Sequence, residues 1–296
     1  MKLRVPLLWI VCLFSIAFAD EVWVRGVNAQ SGWYDANKVF DGVDDDLCWA
    51  AAASNMLTWW QDRNSELSII SGAPQGNTEI WNDFVQSFGN WKKDEGEYGG
   101  NESDGFHWYL DGTIDSSYIV SDYGRTHGGY YKNLVSTVGC TEQVVADAPT
   151  STAEQTSDAI MNALTTGCGI TLGIYSSSMS HAITLWGVEY NEGAITSMYL
   201  TDSDDEQEGQ HGLFKVKCVA QDMSIEVEEG KFELRNVLHI ESEDVLPSGQ
   251  KYYGEDVYIG DFTYLKSTLP RIPEPATGML SLLALAVLAV RRTRFS

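Results

Sequence analysis

The spacing of apolar residues changes near residue 168, and this change limits the folds that the chain can adopt. Before it, apolar side chains recur at helical spacing over 47–62 and 77–88, and a capping box at Thr152 and Gln155 begins a third helix that ends at Gly167. After it come five short runs rich in strand-forming residues, at 170–175, 182–190, 194–201, 213–219 and 232–240. Helices followed by an antiparallel sheet predict an α+β domain.

Composition and charge indicate a folded chain that does not bind nucleic acid. Hydrophobic residues make up 44% of the 296 residues and charged residues 21%, which are the proportions of a globular protein. The 42 acidic residues outnumber the 19 basic ones, so the formal net charge is −23. Because nucleic-acid binding depends on Lys and Arg neutralising phosphates, this charge argues against such a partner.

The N-terminus has the pattern of a secretory signal peptide. Lys2 and Arg4 precede an apolar stretch over 5–18, which ends in the small-x-small sequence Ala-Phe-Ala at 17–19. We therefore expect a cleaved signal peptide at 1–19 and export through the inner membrane.

The C-terminal segment, 273–296, begins with Pro-Glu-Pro, continues as an apolar run over 279–290 and ends in an arginine cluster. This order resembles the PEP-CTERM sorting signal of Gram-negative bacteria, whose tail is removed by an exosortase-type enzyme. The resemblance implies an exosortase-type partner, a membrane contact that is only transient, and a final location at the cell surface, in the extracellular matrix or in the medium. The alternative is a short membrane anchor, although a bilayer span needs about 20 residues.

Cys48 stands at the start of the first predicted helix, which suits a nucleophilic thiol. The unpaired N–H groups and the dipole of a helix N-terminus stabilise a thiolate, and Asp46 is placed to cap the first turn. The alternative is a structural Cys or one half of a disulfide, and the three neighbouring Asp residues at 44–46 oppose a thiolate. The remaining thiols of the exported chain can supply one disulfide, with one thiol left over; they are Cys140, Cys168 and Cys218.

His181 begins a predicted hairpin over 182–201 with its turn at 191–193. If the two strands pair antiparallel, the start of the first lies beside the end of the second, so Asp202 or Asp204 can reach the His181 ring. A helix-borne Cys, a strand-borne His and an orienting acid are the parts of a thiol-peptidase site.

The sequence indicates no metal or cofactor. His107, His127, His211 and His239 lie in four separate contexts, without the close pairing of zinc sites. The alternating acids at 202–208 lack the Gly and Glu that a calcium-binding EF-hand loop requires at its sixth and twelfth positions.

Four blocks of sequence resemble a known enzyme family. They include Gly-Trp-Tyr-Asp at 32–35, Leu-Cys-Trp-Ala at 47–50, His-Ala-Ile-Thr-Leu-Trp-Gly at 181–187 and Thr-Asp-Ser-Asp at 201–204. Their order and approximate spacing are similar to those of the immunoglobulin-degrading cysteine endopeptidases of the Mac/IdeS type. Weaker similarity fills much of the interval 22–266.

The resemblance implies roles for five residues. Cys48 would be the nucleophile and His181 the general base and acid, with Asp202 and Asp204 as the acids behind it. Lys38 and the backbone N–H of Cys48 would hold the oxyanion. The family usually has a small Gly where this chain has Trp49, a change that would narrow the cleft.

The implied fold is papain-like, and residues 20–268 are predicted to form an α+β cysteine peptidase domain whose nucleophile helix packs on an antiparallel sheet. The predicted activity is hydrolysis of peptide bonds in a protein substrate, with immunoglobulin-like proteins as candidates. Two alternatives stay open: a catalytically silent surface-binding module of the same fold, and a papain-like acyltransferase or amidase.

Overall fold

The computed structural model describes residues 20–38, 46–89, 100–114, 124, 126–177, 179–203, 212–228, 230–241 and 256–272. The signal peptide predicted at 1–19 and the sorting signal predicted at 273–296 therefore lie outside the described residues.

The helices in this part of the chain confirm the three predicted ones and add two. They are α1 (Cys48–Arg63), α2 (Ser65–Ser71), α3 (Asn77–Phe88), α4 (Glu102–Leu110) and α5 (Ala153–Thr165). The predicted capping box is present, since Thr152 Oγ1 accepts from the Gln155 N–H at 3.2 Å and Gln155 Oε1 accepts from the Thr152 N–H at 3.0 Å. Asp46 does not cap α1, because Leu47 occupies the N-cap position without a side-chain hydrogen bond. None of these helices is long and apolar enough to cross a membrane.

The strands include the five predicted runs, which correspond to β3 through β7, and three further strands. They are β1 (Asp20–Trp23), β2 (Thr141–Val145), β3 (Cys168–Tyr175), β4 (Ser180–Asn191), β5 (Ala194–Thr201), β6 (Phe214–Glu228), β7 (Lys231–Glu241) and β8 (Tyr258–Lys266), all within the described ranges. The predicted turn between β4 and β5 is confirmed. Glu192 and Gly193 have φ angles of 49° and 90° there, the left-handed conformation of a two-residue hairpin loop.

Six of the described strands close into an antiparallel barrel. Hydrogen bonding runs in the order β4-β3-β8-β7-β6-β5, and β5 pairs again with β4, while β1 adds to β4 and β2 to β8. The predicted fold class, an α+β papain-like fold with the nucleophile helix packed on an antiparallel sheet, is therefore wrong. The physical reason is β8, which no predicted run contains. It joins β3 to β7, and without it the predicted strands would form an open sheet.

Helix α1 packs across β3 and β4, and this packing fixes the position of its first residue. Gly169 of β3 leaves room for the helix, since a Cβ there would lie 2.9 Å from the Trp59 ring. On its other side α1 contacts aromatic rings of α3 and α4. The ring centroids of Trp49 and Phe88 lie 5.3 Å apart and those of Phe88 and Trp108 4.9 Å apart. Edge-to-face pairs of this kind contribute about 0.5–1.5 kcal/mol each beyond the burial of their area.

Candidate active site

Cys48 is the first residue of α1, and His181 is the second residue of β4. The two side chains share a hydrogen bond. A hydrogen bond of Asn55 brings the start of α1 close to the start of β4. Asn55 lies two turns along the same face of α1, where its Nδ2 donates to Thr184 Oγ1 of β4 at 3.1 Å. This bond holds the helix in a fixed position along β4, so the Cys48 thiol meets the imidazole.

Asp202 occupies the opposite side of the imidazole. Thr184 of β4 pairs with Thr201 of β5, so the residue after Thr201 lies next to the start of β4. His181 Nε2 and Asp202 Oδ1 are 2.7 Å apart, and the two side chains are 10% and 4% exposed. Because Nε2 contacts the carboxylate, Nδ1 is the ring nitrogen left for Cys48.

Burial and charge act in opposite directions on the pKa of His181. Burial lowers the pKa, whereas the charge of Asp202, its hydrogen bond, the hydrogen bond with Cys48 and the charge of a Cys48 thiolate raise it, leaving it well above its ordinary value. These interactions favour the protonated form of His181. A protonated ring between a carboxylate and a thiol is the arrangement that a thiolate–imidazolium pair requires.

The other described thiols lie in different surroundings. Cys140, Cys168 and Cys218 are buried and free, so none of them takes part in the disulfide that the sequence left open. Burial raises the pKa of Cys140 to about 11, and it raises the pKa values of Cys168 and Cys218 as well. Cys48 is partly exposed and contacts an imidazole, which makes it the thiol of these four that is placed for reaction.

The segment that carries Lys38 lies beside the end of β5. Thr201 Oγ1 donates to the Tyr34 carbonyl at 3.0 Å, and the Lys38 N–H donates to the Ser203 carbonyl at 3.1 Å. Lys38 is 4% exposed. Hydrogen bonds on both sides of Asp202 therefore bring the Lys38 segment to the predicted site, while Asp204 lies outside the described residues.

Two further polar residues belong to this region, and the sequence analysis gave neither a role. Asn55 also donates to Ser203 Oγ at 3.2 Å and accepts from Asn77 Nδ2 at 2.9 Å, so it joins α1, α3 and the end of β5. An amide side chain among the mostly apolar residues 49–60 was the available signal. Glu102, at the start of α4, is a buried carboxyl within electrostatic range of His181. No sequence pattern distinguished Glu102 from an exposed acid.

Trp49 lies in the aromatic core. Its side chain is 4% exposed and packs edge to face on Phe84 and Phe88 of α3. A Cβ on Gly100 would touch the same ring. Trp49 therefore serves to anchor the first turn of α1 in the aromatic core.

A thiol, an imidazole and a carboxylate lie in hydrogen-bonded order at one end of the barrel and the start of a helix, which is the arrangement of residues that thiol hydrolases use. The family model described as Mac 1 matches residues 22–71 and 103–231, and this chain belongs to the Mac 1 family. The predicted resemblance to the Mac/IdeS type is thus confirmed.

A relative is an IgM protease of Streptococcus suis (strain P1/7), which is 27% identical over 218 residues. The similarity covers 62% of this chain but 18% of the relative, so the chain matches less than a fifth of that protein's length. The sorting signal predicted at 273–296 lies outside the residues that the family model matches.

Proposed function

We propose that this chain is a cysteine endopeptidase that hydrolyses peptide bonds in a protein substrate. The observation that carries the proposal is the position of His181, which hydrogen bonds with Cys48 on one side and with Asp202 on the other. Membership of the Mac 1 family supports it.

The reaction follows from the protonation state of this group. The Cys48 thiolate attacks the scissile carbonyl carbon, and the resulting oxyanion is held by the Cys48 backbone N–H and by Lys38. His181 donates its Nδ1 proton to the leaving amine as the C–N bond breaks, which leaves a thioester. His181 then takes a proton from water, which attacks the thioester, so that the carboxylic acid is released and the thiolate of Cys48 and the protonated His181 are restored.

Asp202 has the role of accepting the Nε2 proton of His181. This bond fixes the orientation of the ring and stabilises the imidazolium that protonates the leaving group. Asp204 is assigned a supporting position near the imidazole or the Lys38 amine.

The substrate class proposed is immunoglobulin-like proteins, because the relative is named an IgM protease. The enzyme would reach such substrates after export directed by residues 1–19. Removal of the tail after Thr277 by an exosortase-type enzyme would then leave it at the cell surface, in the extracellular matrix or in the medium.

The test is alkylation and cleavage by matched Cys variants. Cys48→Ala should abolish both labelling by iodoacetamide and the appearance of new N-termini in IgM, and the buried Cys168→Ala should retain both. Cleavage by Cys48→Ala would refute the thiol mechanism. Labelling of Cys48 without cleavage of any protein would instead favour the amidase or acyltransferase alternative.

A further inference from the structure

A group of acidic side chains lies next to the proposed catalytic pair, and the reaction described above does not use it. Glu102 of α4, Asp261 of β8 and Tyr175 of β3 influence one another electrostatically, and Glu102 also interacts with His181. Register explains their proximity. Gly173 of β3 pairs with the residue after His181 on one side and with Asp261 on the other.

Glu102 is buried, and one of its two carboxyl oxygens lacks a hydrogen-bond partner among the described residues. Its side chain is 4% exposed, and its Oε1 has no hydrogen-bond partner in the part of the chain that the structure describes. Burial raises the pKa of Glu102 to about 7, and the charges of Asp261 and Asp104 add to the rise while a backbone hydrogen bond and His181 oppose it. A buried carboxyl oxygen without a partner costs free energy, so its presence beside a reactive site points to a ligand that pairs with it.

Gly173 and Gly260 leave space over the sheet for the side chains of Asp261 and Tyr175. A Cβ on Gly173 would lie 2.8 Å from both carboxylate oxygens of Asp261, and a Cβ on Gly260 would clash with the Tyr175 ring. The Tyr175 hydroxyl donates to Asp261 Oδ2 at 2.8 Å. The absence of two side chains thus lets a carboxylate and a phenol lie over the sheet, close to Glu102 and to the start of β4.

We propose that Glu102 and Asp261 form a subsite that binds a basic side chain, arginine or lysine, of the protein substrate near the scissile bond. A guanidinium or ammonium supplies the donor that Glu102 Oε1 lacks and offsets the repulsion between the two carboxylates. The formal net charge of −23 also attracts basic substrates. A metal ion fits less well, since no group of three or more His, Cys, Asp or Glu among the described residues is arranged to hold one.

The subsite rests on the proposed function but requires only a reactive Cys48, and the experiment uses this difference. Tripeptidyl chloromethyl ketones alkylate a thiolate, because a carbon–sulfur bond replaces the carbon–chlorine bond and chloride leaves. Each probe carries arginine or its neutral isostere citrulline at one position at a time. Rates of inactivation are compared within each pair, and mass spectrometry identifies the Cys48 adduct.

The wild-type protein should react at least about tenfold faster with arginine than with citrulline at one position, which is the effect expected for a charged hydrogen bond. Glu102→Gln should bring this ratio close to one, and Asp261→Asn should lower it. Glu142→Gln is the matched control, since Glu142 is exposed on β2 and pairs with β8 only three residues from Asp261. It should keep the wild-type ratio.

Three outcomes count against the subsite, and they are distinguishable. Equal rates with arginine and citrulline at every position would overturn it and leave the proposed function standing. An unchanged ratio in a folded Glu102→Gln, checked by circular dichroism, would overturn the assignment to Glu102. No alkylation of Cys48 by any probe would overturn the proposed function and the subsite together.

Discussion

At the scale of single residues, the proposed site centres on His181, which Cys48 and Asp202 contact on two sides. The hairpin argument predicted that Asp202 or Asp204 can reach the ring, because antiparallel pairing brings the start of one strand beside the end of the next. The sequence contained the residues of this site but not the burial around them. The raised pKa values of His181 and Glu102 depend on side chains distant in sequence, and no local pattern encodes them.

Asp202→Asn should lower the pKa of His181, because it removes the charge that opposes the effect of burial. The imidazolium should then be lost at a lower pH than in the wild type. We expect kcat to fall on the order of 10⁴-fold, as for other triads that lose their orienting acid, and Asp204→Asn to cost about 10–100-fold. Histidine NMR titration and kcat measurements test this. An unchanged pKa, or a larger loss for Asp204→Asn, would contradict the assignment.

Glu102→Gln should stabilise the protein at alkaline pH relative to the wild type. The folded pKa of about 7 exceeds the ordinary 4.5, so the folded state binds more protons than the unfolded chain between these pH values. Wild-type stability therefore falls as pH rises from about 4.5 to about 7, by about 3 kcal/mol. Urea unfolding at pH 5 and pH 8 measures the difference, with exposed Glu142→Gln as control. A Gln variant with the same pH dependence as the wild type would show that Glu102 does not titrate in this window.

At the scale of elements, the sequence predicted the individual helices and strands better than the closing of the strands into a barrel. Apolar runs and their spacing located α1, α3 and five strands, because these patterns lie within each segment of the sequence. The run that forms β8 mixes apolar with polar residues, and its pairing with β3 and β7 depends on contacts distant in sequence. The barrel was missed for this reason, while the meeting of α1 with the β4–β5 hairpin was anticipated because it needed only the hairpin and the helix start.

Asn55→Ala tests how α1 is held against this hairpin. The change removes the bonds to Thr184 and Ser203 and leaves their buried groups without this partner, so it should cost about 1–3 kcal/mol of stability. Because Cys48 begins the same helix, kcat should fall about tenfold or more. Ser54→Ala is the control, since its hydroxyl bonds only within α1, to the Ala51 carbonyl. Full activity of a destabilised Asn55→Ala would show that the bond serves stability alone.

At the scale of the whole molecule, the net charge and the two ends of the chain both bear on where the protein acts and on which substrates. Processing at both ends would remove two basic residues with the signal peptide and three with the tail, and no acidic ones. The formal net charge would then fall from −23 to −28. A more acidic protein attracts basic substrates more strongly at low ionic strength. Export and the proposed acidic subsite thus favour the same class of substrate.

The tail after Thr277 should be absent from the released protein. An apolar run over 279–290 spans about 18 Å as a helix, well below the roughly 30 Å of a bilayer core, so it is poorly suited to permanent anchoring. A Pro-Glu-Pro sequence before it and arginines after it fit transient membrane contact during processing. Intact mass spectrometry of protein recovered from the medium and from the envelope measures the C-terminus, with a chain ending at 277 as the reference. Material that still ends at Ser296 in both fractions would refute processing and leave the short membrane anchor as the explanation of the tail.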